Sequence, residues 1–309
     1  MGYYWPEGML LESEQNRYYL QNEETLCSAM RIGQILEGRA LLCDYDHNLI
    51  VDLGCCRGVI PREEGALGIR EQTVRDIAII SRVNKPVCFL ITAIEHDENG
   101  ALRPILSRRA AQLRCRREYI EALTPGEIIP ARVTHLENFG CFVDIGCGLP
   151  SLISIDQISV SRISHPRDRF AVGESIYAVV KAVEPEGRVQ LSHKELLGTW
   201  EENASLFLPG ETVAGIIRSV EDYGVFVELT PNLAGLAEYK EGVSVGDRAT
   251  VFIKSINPER MKIKLVLIDS YKDFSAPAPL RYFLPEDCNR LSSWRYSPDC
   301  CPKSVGTVF

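Results

Sequence analysis

Residues 126–146 read GEIIPARVTHLENFGCFVDIG, and residues 210–230 read GETVAGIIRSVEDYGVFVELT. The two align without a gap, Gly126 on Gly210. Each continues through a leucine-bearing run (LPSLISID, LAGLAEY) into a glycine and a new strand-like run (VGESIYAVVKAVE, VGDRATVFIKSIN). Each closes on a turn and a last run, GRVQLSHK or MKIKLVLI. A weaker copy precedes them: GQILEGRALLCDYDHNLIVDLG, RGVIPREE and KPVCFLITAIEHDENGALRPILSRR. It is interrupted by GALGIREQTVRDIAIIS, where Leu67, Val74, Ile77 and Ile79 predict a helix. Self-similarity at a fixed period marks a repeat architecture. Each copy holds about five short Val/Ile-rich runs bounded by Gly, Pro, Asp or Asn. Five antiparallel strands in a small module point to a partly open Greek-key barrel of the OB type, whereas a β-sandwich needs about seven. The expected fold is all-β, with three such barrels in tandem and short connecting helices.

The boundaries follow from the copies. A capping segment spans 1–30, a degenerate first module 31–108, a basic linker helix 109–122 and a second module 123–197. A short linker at 198–208, a third module at 209–268 and an aromatic extension at 269–309 complete the chain.

The chain carries a net charge of -8, which argues against a general duplex-DNA binder. It leaves room for a local basic groove. No apolar run reaches the ~18 residues of a membrane-spanning helix, and MGYYWPEGMLLESEQNR lacks the features of a secretory signal. The 11 cysteines are scattered and odd in number, and the adjacent pairs Cys55–Cys56 and Cys300–Cys301 lack zinc-ligand spacing. Reduced thiols in a cytoplasmic protein, with no metal or cofactor, are the simplest expectation.

Strand alternation puts Cys141, Val143 and Ile145 on one face and Phe142 with Asp144 on the other. Asp144 marks that second face as solvated, so Phe142 is expected outside. Val225, Val227 and Leu229 likewise leave Phe226 beside Glu228. Phe139 and Tyr223 occupy the preceding turns. Exposed rings at the same register in two copies suit stacking of unpaired bases, worth roughly 1–3 kcal/mol each. Arg132, Lys181, Arg188 and Lys194 are candidate phosphate contacts on the second module, and Arg218, Lys254, Lys262 and Lys264 on the third. The first module has His47 and Ile50 at the ring positions, which suits docking or a structural role. Arg108, Arg109, Arg114, Arg116 and Arg117 then form either a phosphate-contacting arm or a solvated helix packed down through Leu113, Ile120 and Leu123.

NFGCFVDIG, VGESIYAVVKAVEPEGRVQLS and the closing HKE resemble the S-one RNA-binding motif, as do DYGVFVELT and VGDRATVFIKSINPE. The chain as a whole resembles the bacterial small-subunit ribosomal protein S-one family over roughly three-quarters of its length. That resemblance implies an RNA face of two aromatics, a histidine, an acid and a base. In the second module these fall on Phe139, Phe142, Ser154 (a departure), Glu184 and Arg188. In the third they fall on Tyr223, Phe226, Glu238, Asn257 and Lys262, and Glu238 opposes phosphate. It further implies non-specific gripping of single-stranded messenger RNA, with the small ribosomal subunit as a candidate partner, no membrane and no catalysis. The other readings are a free RNA chaperone or regulator, an accessory RNA-binding subunit of an RNA-degrading complex, and a protein-docking module.

No P-loop, GxSxG, HExxH or dinucleotide fingerprint is present. The acidic groups Asp44, Asp46 and Asp52, and Glu201 with Glu202, read as turn and surface charge. Tyr282, Phe283, Trp294 and Tyr296 are dense for a disordered tail, so the extension is expected to pack back on a module or a partner. Tyr3, Tyr4, Trp5 and LCSAM suggest a short capping helix.

Overall fold

The computed structural model describes residues 4–184, 187–273, 279–285 and 287–309; Tyr3 lies outside them. Three closed five-stranded barrels follow one another, as the repeat predicts. The first comprises β1 (Leu36–Cys43), β2 (Leu49–Asp52), β3 (Arg57–Ile60), β4 (Pro86–His96) and β5 (Leu102–Ser107). The second comprises β6 (Ile128–Glu137), β7 (Gly140–Asp144), β8 (Pro150–Ser154), β9 (Ser175–Val183) and β10 (Val189–Ser192). The third comprises β11 (Thr212–Glu221), β12 (Gly224–Thr230), β13 (Leu233–Ala237), β14 (Arg248–Asn257) and β15 (Lys262–Tyr271). Each runs as a meander of three antiparallel strands and closes through one parallel pairing, β3 with β5, β8 with β10 and β13 with β15. Closure leaves no open sheet edge within a barrel among the described residues.

The alternating Val, Ile and Ala positions point inward. Ala131, Val133, Cys141, Val143, Ile153, Val180 and Leu191 are buried in the second barrel. Ile217, Val225, Val227, Ala249, Val251, Ile253 and Leu265 are their counterparts in the third.

By backbone proximity the chain forms two compact units. One is residues 1–123 with 130–132 and 144–150; the other is 124–129, 133–143 and 151–309. In the first, helices α1 (Glu14–Tyr19) and α2 (Glu23–Ile32) precede the barrel. A reciprocal Asn22–Thr25 capping box starts α2, Gly33 in the left-handed region ends it, and Leu26 and Ala29 join the barrel core. The insertion at 65–81 departs from its expected helix. Only α3 (Ile77–Ile80) is helical, because Gly68 and Gln72 adopt positive φ and break the turn repeat. Ile79 is buried there while Val74 and Ile77 stay exposed.

A polar network lies within this unit. The Glu7 carboxylate accepts from Arg108 Nε at 2.6 Å and Nη2 at 3.0 Å, from Arg82 Nη1 at 3.2 Å and from the Cys88 amide at 3.2 Å. Arg108 opens α4 (Arg108–Glu118), and it is buried. Glu37 accepts from the amides of Gly8 and Leu10. Asp144 accepts from the amides of Glu7 (2.7 Å), Gly146 (2.8 Å) and Gly148 (3.0 Å). The remaining arginines of α4 are mostly taken too. Arg109 pairs with Glu71, Arg114 with Glu118 and Arg116 with Glu121, while Ile120 and Leu123 are buried. That is the packed-down helix rather than a phosphate-contacting arm.

In the second unit, α5 (Trp200–Ala204) starts on a Thr199–Glu202 capping box and buries Trp200 against the third barrel. The extension packs back. Trp294 and Tyr296, on and beside the hairpin of β16 (Ser293–Arg295) and β17 (Gly306–Val308), join the third barrel's core. Tyr282 accepts from the Tyr177 amide at 3.3 Å and meets the buried His193 ring edge-on. Burial pulls His193 down to about 4, so it is neutral there.

Replacing Glu7 by Ala leaves Arg108 buried without a carboxylate, and urea denaturation is expected to show a loss of about 3–5 kcal/mol. Burial pushes Glu37 and Asp144 up to about 7, with Glu7 adding to the effect at both. Carboxyls that hold protons more tightly folded than unfolded lose their stabilising contribution as pH rises. Thermal melts of the chain should therefore decline from pH 4.5, the ordinary glutamate value, to about 7. Glu37→Gln, fixed in the neutral form, should flatten that decline. Glu7 acts in the opposite sense at lower pH: despite its burial, Arg108 holds it below the usual range.

Candidate nucleic-acid interface

The hairpins β6–β7 and β11–β12 place the paired rings. A Cβ on Gly140 would collide with the Ile153 carbonyl oxygen, and one on Gly224 would stand 2.5 Å from the Ala237 carbonyl oxygen. Only glycine lets the strand pass so close to its neighbour, and the residue before it is turned outward. Phe139 is accordingly 55% exposed and Tyr223 69%. Phe142 and Phe226 are half-buried on the outer face. Phe139 and Phe142 meet edge to face at 5.9 Å and 90°, and Tyr223 and Phe226 at 6.1 Å and 88°. Two barrels thus present the same perpendicular two-ring notch.

Register shows what flanks each notch. In the third barrel Phe226 lies opposite Ser219 on one side and Leu236 on the other; Leu236 pairs with Lys264, and Lys264 with Ser255. Lys264 is thus in the ring row, with Lys262 two residues along the same face, opposite Asn257. Both lysines and Lys254 are exposed. In the second barrel Leu152 pairs with Gln190, and Gln190 with Ala182 beside exposed Lys181. Glu184 and Arg188 bracket the β9–β10 turn, where the Glu184 amide donates to the Arg188 carbonyl at 2.7 Å. The Glu184 carboxylate accepts from Gln190, and Arg188 is exposed. Ser154 ends β8 next to Ile155, whose amide donates to the Phe139 carbonyl at 3.0 Å. Glu238 is exposed just past β13. Asn257 caps the following turn, accepting from the Arg260 amide at 2.9 Å.

Several expectations change. Asp144 and Glu228 do not mark a solvated face, since both are buried. Asp144 is enclosed by the backbone amides described above, and Glu228 by Arg218 and Arg169. The outer face is open at the ring end of each strand and covered at the other. Arg218 is no free cation: it bonds Glu228 at 2.8 and 3.1 Å and lies 3.5 Å from Asp168. Arg132 is packed over Gly8, whose position leaves no room for a side chain. Lys194 is half-buried in the turn after β10.

Two rings escaped the sequence reading. His135, exposed on β6, lies 6.5 Å from Phe142 at 33° and pairs with Glu137 at 2.7 Å, extending the second barrel's notch. Its signal was register, since it aligns with Ser219, the partner of Phe226. Tyr45 is 98% exposed at the tip of the β1–β2 hairpin, where alignment had drawn attention to His47. The first barrel's equivalent row is aliphatic, Leu42 opposite Ile50 opposite Val59 opposite Ile105.

Residues 123–194 match the family described as the S1 RNA binding domain. The middle barrel is similar to that domain family over its whole length. The chain is also 32% identical over 237 residues to the small ribosomal subunit protein bS1 of Leuconostoc lactis, covering 70% of this chain and 52% of that one. It is 31% identical over 199 residues to the bS1 homolog of Bacillus subtilis, covering 62% and 49%. These relatives bear out the resemblance read from the sequence. The chain spans about half the length of both. A multidomain protein with nucleic acid binding domains from Streptococcus pneumoniae is similar at 17% identity and a TM-score of 0.25, covering 77% of this chain and 74% of that one.

Two cations of the third barrel should meet different fates on removal. Arg218→Ala strips a partner from buried Glu228 and should cost on the order of 2 kcal/mol in urea denaturation. Lys264→Ala, on the exposed ring row, should leave the denaturation midpoint unchanged.

Proposed function

We propose that this chain binds single-stranded RNA through its second and third barrels and holds unstructured messenger RNA at the small ribosomal subunit. The observation that carries the reading is the perpendicular ring pair repeated on corresponding strands of two barrels. Unpaired bases stack on such rings whatever their identity. Lys181, Arg188, Lys254, Lys262 and Lys264 supply charge for phosphates, which makes the grip salt-sensitive. The overall net charge of -8 is compatible, because the acids at the ends of the ring strands are buried in ion pairs and amide contacts. The work is binding, with no bond made or broken.

The ribosomal assignment draws on the names of the relatives, and with it a cytoplasmic location. Among the described residues no helix is long and apolar enough to cross a membrane. The aliphatic row and unpaired Tyr45 of the first barrel favour a docking or structural role for that module.

Titration of a short unstructured RNA should give micromolar or tighter binding that weakens with salt. Phe142→Ala combined with Phe226→Ala should weaken it tenfold or more. Undiminished binding by that variant, or binding indifferent to salt, overturns the stacking reading. Co-sedimentation with small ribosomal subunits tests the location, and failure to sediment favours a free RNA chaperone.

A further inference from the structure

The notch of the third barrel has two rings, Tyr223 and Phe226, and so seats two bases. Barrels of this type cover roughly 4–16 nucleotides of a single strand. A strand held in the notch therefore continues over the barrel surface, and charge decides its direction. Toward the hairpin tip stand exposed Glu221 and Asp222, and on β11 Arg218 is committed to Glu228. The other side, formed by β13, β15 and β14, carries Lys254, Lys262 and Lys264. All three are exposed, and none is in an ion pair among the described residues.

That side also carries a third exposed ring. Side chains alternate along β14, and Phe252 points outward, 37% exposed, between buried Val251 and Ile253. It lies opposite Val266 on β15, which is 46% exposed, and Thr212 on β11. Val266 is two residues beyond Lys264 on the same outward face, and Lys264 is level with Leu236, the partner of Phe226. Phe226, Leu236, Lys264, Val266 and Phe252 thus form a path across four strands, and Lys254 points outward beside Phe252 where the register shifts. At about 4.8 Å per strand, Phe252 lies roughly 14 Å around the surface from Phe226. A base held in the notch does not reach it; a later base of the same strand does. The fold does not call for a ring there, because Phe252 is outside the barrel's core. The aligned residue of the second barrel is Val179, which is fully buried. Two exposed acids bound the path, Glu238 just past β13 and Asp269 opposite Thr250.

We propose that Phe252 is a further stacking ring of the third barrel, seating a later base of the RNA strand whose earlier bases lie in the Tyr223–Phe226 notch. Lys264 and Lys254 meet the phosphates between them. The proposal rests on the RNA-binding reading above and adds the course of the strand to it, from β12 across β13 and β15 to β14. Unpaired cations beside an exposed apolar row match a polyanion that also offers apolar faces, which is the chemistry of a single strand. Lysine ammonium groups bind phosphate as point charges on flexible stems and so tolerate a strand without fixed geometry. With no ring at Val179, the second barrel lacks this extension.

Anisotropy titration with an eight-nucleotide oligouridylate tests it, using the full chain with Phe139→Ala and Phe142→Ala so that the third barrel's notch is read alone. Adding Phe252→Ala should weaken octamer binding about fivefold or more. The inhibition constant of the dinucleotide UpU, which fits within the notch, should not change. Phe252→Tyr should keep the octamer affinity. Equal octamer affinity with and without the Phe252 ring overturns the proposal and leaves the notches standing. An equal loss for octamer and dinucleotide also overturns it, since the ring then acts on the notch itself. Failure of the unmodified chain to bind the octamer overturns the RNA reading, and the proposal with it. If Phe252→Ala abolishes self-association in sedimentation velocity while octamer affinity holds, the face belongs to a second copy and the proposal falls. Thermal melts check the fold. Phe252→Leu, which keeps apolar area without a π face, replaces Phe252→Ala if that variant unfolds, with the same loss expected.

Discussion

The parallel strand pairing that closes each barrel is the constraint on which the site depends. Three strands joined by hairpins would make an open ribbon with two reactive edges. Seating the fifth strand beside the third covers one edge, the fourth strand beside the first covers the other, and the parallel pairing brings Lys264 level with Leu236, hence with Phe226. The exposed-face ring Phe226 and the cation Lys264, almost forty residues apart in sequence, become neighbours through this pairing. The glycine after each turn ring completes the arrangement by letting the second strand press against the third.

Much of this was legible because it is periodic. The copies at 126 and 210, the two-residue alternation and the turn residues fix barrel count and ring positions with little tertiary information. The places where reading failed are those where a long-range partner decides. Alternation puts Asp144 and Glu228 on the outer face, and they are there, but sequence does not reveal that amides cover one and arginines the other. Arg218 looked like a surface cation for the same reason. The stretch 65–81 had helical spacing at four apolar residues, yet Gly68 at positive φ overrode it. His135 was missed because its role appears only when β6 is laid against β7.

The chain carries a net charge of -8 yet keeps exposed lysines together on one face. The ion pairs of Glu7 with Arg108 and of Glu228 with Arg218 consume charge of both signs in buried places, where it sets local geometry. Lysines stay on the ring row of the third barrel, where long flexible side chains can follow a phosphate backbone. Buried charge that loses its partner is costly, so the two classes of cation differ in what their removal costs although they look alike in sequence.

The compact unit built around the first barrel includes residues 144–150, and Asp144 receives the Glu7 amide within it. A chain emerging from the ribosome in order, N-terminus first, therefore exposes all five strands of that barrel well before it can finish the unit. Its polar network stays open until roughly forty further residues have been synthesised. Assembly of the first module is thus timed by translation of the second.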